Sequence, residues 1–378
     1  MTSPSLIDRA RAFRRAHVDP YAAQWERQRE VPVATLRTAA EKGFLALEVP
    51  VALGGRGIGF MDKLGFVEEM SRSCMAFTFS LINTQNVTAR LAANGTERQR
   101  TELVPDLMAG RIFGATALSE PGAGSDFSAI STRAEKTQGG WLLTGEKGWI
   151  TNASIADVFV TYAQTDPAAR ARGVASFLVD ARAPGFERVA PYALMGGHAI
   201  GAGGFKLNKY FVKDDDVLGL PGGPAFKSAM AGVNGARVYV AAMCAGLVAA
   251  SLEVAVDYCA KRQTFGQPVL DHQGMKWALA SVATDLEAIR ALTARAGQLI
   301  ATDQDAIMAA AHAKKFATEK SLVAIGACIQ AMGANGLRED YPLGRHLASA
   351  KIAAYTDGSI EMMNERIGAG LRDTYGSA

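Results

Sequence analysis

A chain of 378 residues, 49% of them hydrophobic and 20% charged, is long enough to bury a large core and to divide it among two or three domains. Its 40 basic and 37 acidic residues leave a formal charge of +3, which excludes a dedicated polyanion-binding surface and an acidic tail. Cys74, Cys244, Cys259 and Cys328 are widely scattered with no CxxC pair, a usage that fits a reducing cytoplasm rather than a disulfide framework, and no His, Cys or carboxylate set has metal-ligand spacing.

The first residues, MTSPSLIDRARAFRRA, spread their charges and contain no apolar core followed by a small-residue cleavage site, so no secretory signal is expected. Val33, Leu36, Ala40 and Leu45 then recur at helical spacing. Val49-Pro50 and the glycine-rich run Gly54 to Gly59 form a loop; Gly57-x-Gly59 lacks a third glycine and follows no clear strand, which argues against a dinucleotide fingerprint. Two helices are predicted between Met61 and Ala93, and another ending at Gly110.

From about Thr116 the period changes. Short β-rich segments at 139–145, 158–162, 174–180 and 204–212, bounded by turn residues, predict a small sheet or barrel. Helix returns near Ala225, with long segments over 237–262, 273–300, 306–332 and 343–355 and a last one from Ser359. The nearly uncharged run from Val238 to Leu252 is shorter than the roughly 18 apolar residues of a membrane span and reads as a buried bundle helix. The pattern therefore predicts an α+β multidomain chain. It has an all-α domain over 1–115, a small β-sheet or barrel domain over 116–222, and a four-helix-bundle-like domain over 223–378.

The stretch ATALSEPGAGSDFSAISTRAEKTQGGWLLTGEKGWITNAS, Ala115 to Ser154, carries the most chemistry. Pro121 fixes a backbone angle, Gly122 and Gly124 permit close approach by a ligand, and Ser119, Ser125 and Thr151 supply hydroxyls. Trp149 offers a flat apolar cover for a ring. In isolation the same residues also make an ordinary turn and a core tryptophan. Arg262-Gln263-Thr264-Phe265-Gly266, followed by Gln273, is either a helix stop or a pyrophosphate contact, since a guanidinium gives two hydrogen bonds to one phosphate.

In this order the segments resemble the acyl-CoA dehydrogenase family. Its signatures are a T/S-E-P-x-A-G-S-D turn with W-I-T-N, an R-x-x-F-G segment followed by H-Q, and Q-x-x-G-G-x-G…Y-E-G-T-x-E-I. The last is matched by Gln330-Ala331-Met332-Gly333-Ala334-Asn335-Gly336 and by Tyr355-Thr356-Asp357-Gly358-Ser359-Ile360-Glu361. The resemblance implies FAD as cofactor and α,β-dehydrogenation of an acyl thioester. It further implies that Thr116, Ala117, Leu118, Ser119, Trp149, Ile150 and Thr151 line the flavin. Arg262, Phe265 and Gln273 would reach the FAD of a neighbouring subunit, and Gln330, Gly333, Ser359 and Glu361 would complete the cofactor site. Ser125, Arg237 and Gly358 would serve the substrate.

The glutamate that serves as the family's usual α-proton base is replaced here by Asp357, one methylene shorter. An alternative base position on an earlier helix, just before an arginine, is occupied by Ala236 ahead of Arg237. Asp357 is thus the motif-matched carboxylate. Free amides of the helix starting near Ser359 would favour its ionised form, and burial would oppose it. The loop 195–204 lacks the Arg and Ser/Thr usual in the family's G-x-R-x-S/T segment; its lone His198 reads as a loop residue or as a catalytic replacement.

By the same resemblance the partners are an acyl-CoA or an acyl-carrier-protein substrate and an electron acceptor such as an electron-transfer flavoprotein. Assembly would be a homotetramer, as a dimer of dimers, or a homodimer. Nucleic acid and membrane are not expected. Three other readings share the fold: dehydrogenation of a carrier-protein-bound acyl group in a biosynthetic pathway, a flavin oxidase, and a non-catalytic flavin-binding paralogue. Nitroalkane oxidase is similar in its aspartate base but has an arginine seven residues on, where this chain has Asn364.

Overall fold

The computed structural model describes residues 4–376. Six helices form its first part: α1 (Leu6–His17), α2 (Ala22–Gln28), α3 (Val33–Glu41), α4 (Phe60–Ser71), α5 (Met75–Asn94) and α6 (Val104–Met108). Side chains cap two of them, with Ser5 accepting from the Asp8 amide at 3.1 Å and Cys74 from the Phe77 amide at 3.5 Å. Helix α5 is the innermost; Phe77, Leu81, Val87 and Leu91 are all buried, and the first two join a core with Phe13, Trp25, Phe44 and Phe66.

Eight strands then form one sheet: β1 (Gly114–Ala117), β2 (Arg133–Thr137), β3 (Gly140–Ile150), β4 (Val158–Gln164), β5 (Val174–Asp180), β6 (Phe186–Val189), β7 (Gly203–Lys213) and β8 (Val217–Gly219). The order is β6-β7-β3-β2-β4-β5-β8. β1 lies parallel to β4 from Gly114↔Val158 to Ala117↔Thr161, and β2 meets the same strand at Arg133↔Gln164. Every residue of β4 is buried because both its faces are covered. Phe159 and Ala163 face a core with Phe177, Phe205 and Tyr210, whereas Val158, Val160 and Tyr162 pack against Val87 and Leu91 of α5 and Ala229 of the next helix.

The third part comprises α7 (Pro224–Lys261), α8 (Gln273–Ala301), α9 (Ile307–Met332), α10 (Leu343–Ala353), α11 (Ile360–Ala369) and α12 (Leu371–Tyr375), with a two-stranded hairpin, β9 (Gln263–Thr264) and β10 (Gln267–Pro268), between α7 and α8. The expectation that the apolar run in α7 is too short to span a membrane needs correction. The folded helix has 38 residues and is long and apolar enough to cross a bilayer by length and composition. However, 78% of its most apolar window is buried inside the protein, and Val238 to Ser251 are buried without interruption. Burial on all sides defines a core helix, and it explains the absence of an amphipathic stripe.

Other differences are local. Helix α10 stops at Ala353 rather than at Tyr355, because the chain turns there toward a left-handed Asp357 with φ +53°. Strands β1, β2, β6 and β8 and the β9–β10 hairpin are additional to those predicted; β2 and β6 are short and mostly charged or half-exposed, and β8 has only three residues.

Helices α4 and α7 cross at Gly246, where an added Cβ would lie 2.3 Å from the Glu68 carbonyl oxygen. Gly246→Ala should therefore destabilise the protein by about 1–3 kcal/mol through overpacking. Gly326→Ala, on α9 with nothing within 4 Å of the new methyl, should stabilise it by up to about 1 kcal/mol. Denaturant midpoints of the two variants check the pair.

Candidate active site

Strands β3 and β7 slip once between Leu143 and Gly145, pair on to Lys147↔Phe205 and resume at Ile150↔Gly203, so Gly148 and Trp149 oppose Gly204 alone. This bulge needs a glycine at 204, where a Cβ would lie 2.1 Å from the Lys147 carbonyl oxygen. Trp149 takes φ +61° and turns outward, 58% exposed, with its ring centroid 4.4 Å from that of Tyr192. Ile150 returns to the core and Thr151 is half-buried. Asn152, buried at φ +65°, donates to the Ser80 carbonyl at 3.0 Å and so ties the segment to α5.

The bulge is joined to the end of β1, since the Gly148 amide donates to the Ser119 carbonyl at 3.1 Å. Half-buried Thr116, Leu118 and Ser119, with buried Ala117, thus border Trp149. A buried ion pair underlies them. Lys147 Nζ donates to Glu120 Oε1 at 2.9 Å and to the Leu118 carbonyl at 3.1 Å. Glu120 also accepts from the Ser131 amide and hydroxyl at 2.6 and 2.7 Å and from the Thr132 amide at 3.0 Å.

Burial alone would raise the Glu120 carboxyl, but Lys147 and these donors outweigh it and hold the group at about 2. Burial brings Lys147 down to about 8 against the attraction of Glu120. Ser125 sits beyond, exposed, in the turn that Asp126 closes by accepting from the Ser128 amide at 3.1 Å.

Arg262, Phe265 and Gln273 occupy the corner between α7 and α8. Phe265 and Gly266 have φ +50° and +82°, the backbone of a tight hairpin turn, and Phe265 is 99% exposed. His272 braces the turn through Thr264 Oγ1 and Gln267 Nε2, each at 3.0 Å. Gln330 and Gly333 lie exposed at the end of α9. Among the described residues, no hydrogen bond, ion pair or ring contact connects this corner to the Trp149 segment.

Asp357 lies between α10 and α11. Arg237 of α7, buried and steadied by Asn234 Oδ1 at 2.9 Å, donates from Nε to the Asp357 carbonyl at 3.0 Å. Ser359 caps α11 through the Met362 amide at 3.4 Å, and Glu361 is exposed in its first turn. Part of Asp357 remains accessible, yet the groups around it desolvate its carboxyl. Burial raises the carboxyl above its ordinary value, against the pull of Lys314 and Arg237. Arg237 is itself lowered to about 10, by burial and then by Arg366.

Some features were not predicted. Lys314 of α9 is fully buried, and its Nζ donates to the Gly358 carbonyl and, at 3.4 Å, to that of Ala354. Its signal lay in the sequence: it shares a helical stripe with Ala310, Ala317 and Ser321, all buried. Lys63, another buried lysine, meets Glu48 and lies 4.5 Å over the Tyr239 ring. His198 is tied to Glu26 of α2, whose Oε1 is 3.1 Å from its amide and 3.2 Å from Nδ1.

An exposed indole at the end of β3, close to the end of β1, and a desolvated carboxylate on a loop between helices are groups that can cover a flat ring and move a proton. Models of the acyl-CoA dehydrogenase N-terminal, middle and C-terminal domains match residues 3–111, 115–210 and 226–372. Human mitochondrial short-chain specific acyl-CoA dehydrogenase is 32% identical over 377 residues, covering 100% of this chain and 91% of that protein. Butyryl-CoA dehydrogenase from Megasphaera elsdenii has a TM-score of 0.93 at 26% identity, over 98% of this chain and 99% of that one. A chain solved in work on the electron transferring flavoprotein of Acidaminococcus fermentans gives 0.93 at 29% identity, over 97% and 96%. The chain belongs to the acyl-CoA dehydrogenase family, FAD-dependent oxidoreductases acting on CH–CH groups.

Glu120→Gln would leave Lys147 buried without its counter-charge and should cost about 3–5 kcal/mol. In the wild type, a carboxyl at about 2 in the fold and about 4.5 when unfolded contributes stability that is complete above pH 4.5. That contribution is lost as pH falls toward 2. Acid titration of the unfolding free energy should show this slope, and Glu120→Gln should flatten it.

Proposed function

We propose that this chain oxidises the α,β-bond of an acyl-CoA, with Asp357 as the base that removes the α-proton. The observation that carries this reading is the raised carboxyl of Asp357 on a loop whose carbonyl is fixed by Arg237. A base whose proton affinity is lifted toward neutrality accepts a proton from a weak carbon acid more readily than an ordinary aspartate does. The Asp357 backbone amide would polarise the thioester carbonyl, and Arg237 would hold the next peptide, between Asp357 and Gly358, in place. Ser125 and Gly358 would complete the substrate site. The shorter reach of aspartate requires the substrate's α-carbon to lie closer to the loop than a glutamate would require.

The residues present fit FAD. Trp149 is a large apolar ring held exposed by a left-handed backbone, beside hydroxyls of Thr116, Ser119 and Thr151. Phe265 at a hairpin tip, three residues after Arg262, offers a second uncovered ring. In this reading Thr116 to Ser119 and Trp149 to Thr151 hold the ring system, with Ser359 and Glu361 beside it. Arg262, Phe265, Gln273, Gln330 and Gly333 reach the cofactor of another copy, in a dimer or tetramer. FAD, when bound, supplies the acceptor for the β-hydrogen. Its electrons would pass to an electron-transfer flavoprotein.

Asp357→Asn should retain FAD yet lower the rate of flavin reduction by an acyl-CoA, under anaerobic conditions, by about 10²–10⁴-fold. Exchange of the α-proton with solvent should be lost together with reduction. Because the base acts ionised, kcat/KM of the wild type should fall on the acid side at a pH above the usual aspartate range. Arg262→Ala should lose FAD on dilution, seen as loss of the yellow absorbance; full retention argues against that contact.

A further inference from the structure

Three lysines are fully buried in the described residues: Lys63, Lys147 and Lys314. Lys63 and Lys147 each meet a carboxylate at ion-pair distance, Glu48 and Glu120 respectively. Lys314 meets none at that distance among the described residues. Its ammonium instead reaches the carbonyls of Gly358 and, at 3.4 Å, Ala354. A buried cation is costly unless it is compensated, so this arrangement requires an explanation.

The loop it holds has an uncommon backbone. Asp357 and Gly358 are consecutive left-handed residues, with φ +53° and +102°. Arg237 of α7 takes the carbonyl of the first and Lys314 of α9 that of the second. Two helices thus each supply a cation to successive peptide units. Rotating either peptide would remove a carbonyl from a charged donor buried in the core, and charge-assisted hydrogen bonds are the stronger kind.

We infer that Lys314 is a positioning residue for the reaction: by clamping the Gly358 and Ala354 carbonyls from α9, it fixes the Asp357 carboxylate and backbone amide in the orientation that acts on the thioester. This inference rests on the assignment of Asp357 as base. The charge has a second effect, because the Lys314 cation pulls the Asp357 carboxyl down against the upward push of burial. The other charged or titratable groups that act here are Arg237 and Cys244 on α7 and Glu361 on α11, with Arg366 of α11 acting on Arg237.

The test uses the FAD-loaded protein, with Lys314→Met removing the charge and the donor and Lys314→Arg retaining a cation. Hydrogen exchange should become at least about tenfold faster in peptides covering residues 354–362 of Lys314→Met, with peptides from α1 and β3 unchanged. Flavin reduction by an acyl-CoA should slow by about tenfold or more, and the acid limb of its pH profile should move up by about one unit, since losing a nearby positive charge makes the carboxyl harder to ionise. Lys314→Arg should keep the wild-type acid limb.

In Lys314→Met, unchanged exchange in residues 354–362, or a slower reaction with an unmoved acid limb, would overturn the inference. If Lys314→Met does not fold, Lys314→Gln, which keeps a donor without the charge, should still move the acid limb and leave exchange nearly unchanged. If the wild type is not reduced by any acyl-CoA, the assignment of Asp357 as base fails. The exchange experiment then decides the clamp by itself.

Discussion

Helix α7 is buried on every side through its middle, and this constraint governs the rest of the molecule. At about 1.5 Å per residue its 38 residues extend about 57 Å. It touches α4 of the first part, lies along α8 and α9 of the third, and starts against the sheet through Ala229. A helix in that position has no solvent face on which to put polar side chains. The polar groups it does carry in its buried stretch, Arg237, Tyr239 and Ser251, are therefore committed to partners, the Asp357 carbonyl, Glu48 and His346. Arg237 sits where uninterrupted burial begins, which is also where the Asp357 loop passes.

Buried charges serve both halves of the site. Lys147 with Glu120 fastens the end of β1 to the bulge that turns Trp149 outward, and Arg237 with Lys314 fastens the loop that carries Asp357. In each case a charged donor grips a main-chain carbonyl, of Leu118 in one and of Asp357 and Gly358 in the other. Such contacts add little net stability against their desolvation, but they select one backbone arrangement over others.

Long helices and fully buried strands were legible from the chain alone because their signal is local. The period of α8 and α9 and the β-rich runs at 158–162 and 174–180 do not depend on distant partners. Strand β2, Arg-Ala-Glu-Lys-Thr, has no such signal and exists by pairing with β3. The same distinction holds at the site. The residue types at 149 and 357 could be read from the order of motifs, whereas the outward turn of Trp149 depends on a slip against β7, some fifty positions later. The company of Lys314 was likewise invisible, since Gly358 is forty-four residues away along the chain.

The left-handed conformation at position 357 gives the aspartate a meaning beyond its shorter side chain. Residues with φ near +53° bear a steric penalty that aspartate and asparagine, alone with glycine, meet routinely. Reach toward the substrate and ease of the backbone therefore oppose each other at this position. A longer acid gains a methylene of reach and accepts a less comfortable main chain, while the aspartate settles the loop at a shorter reach. The reach of the carboxylate and the torsion of a single residue are, at this position, one variable.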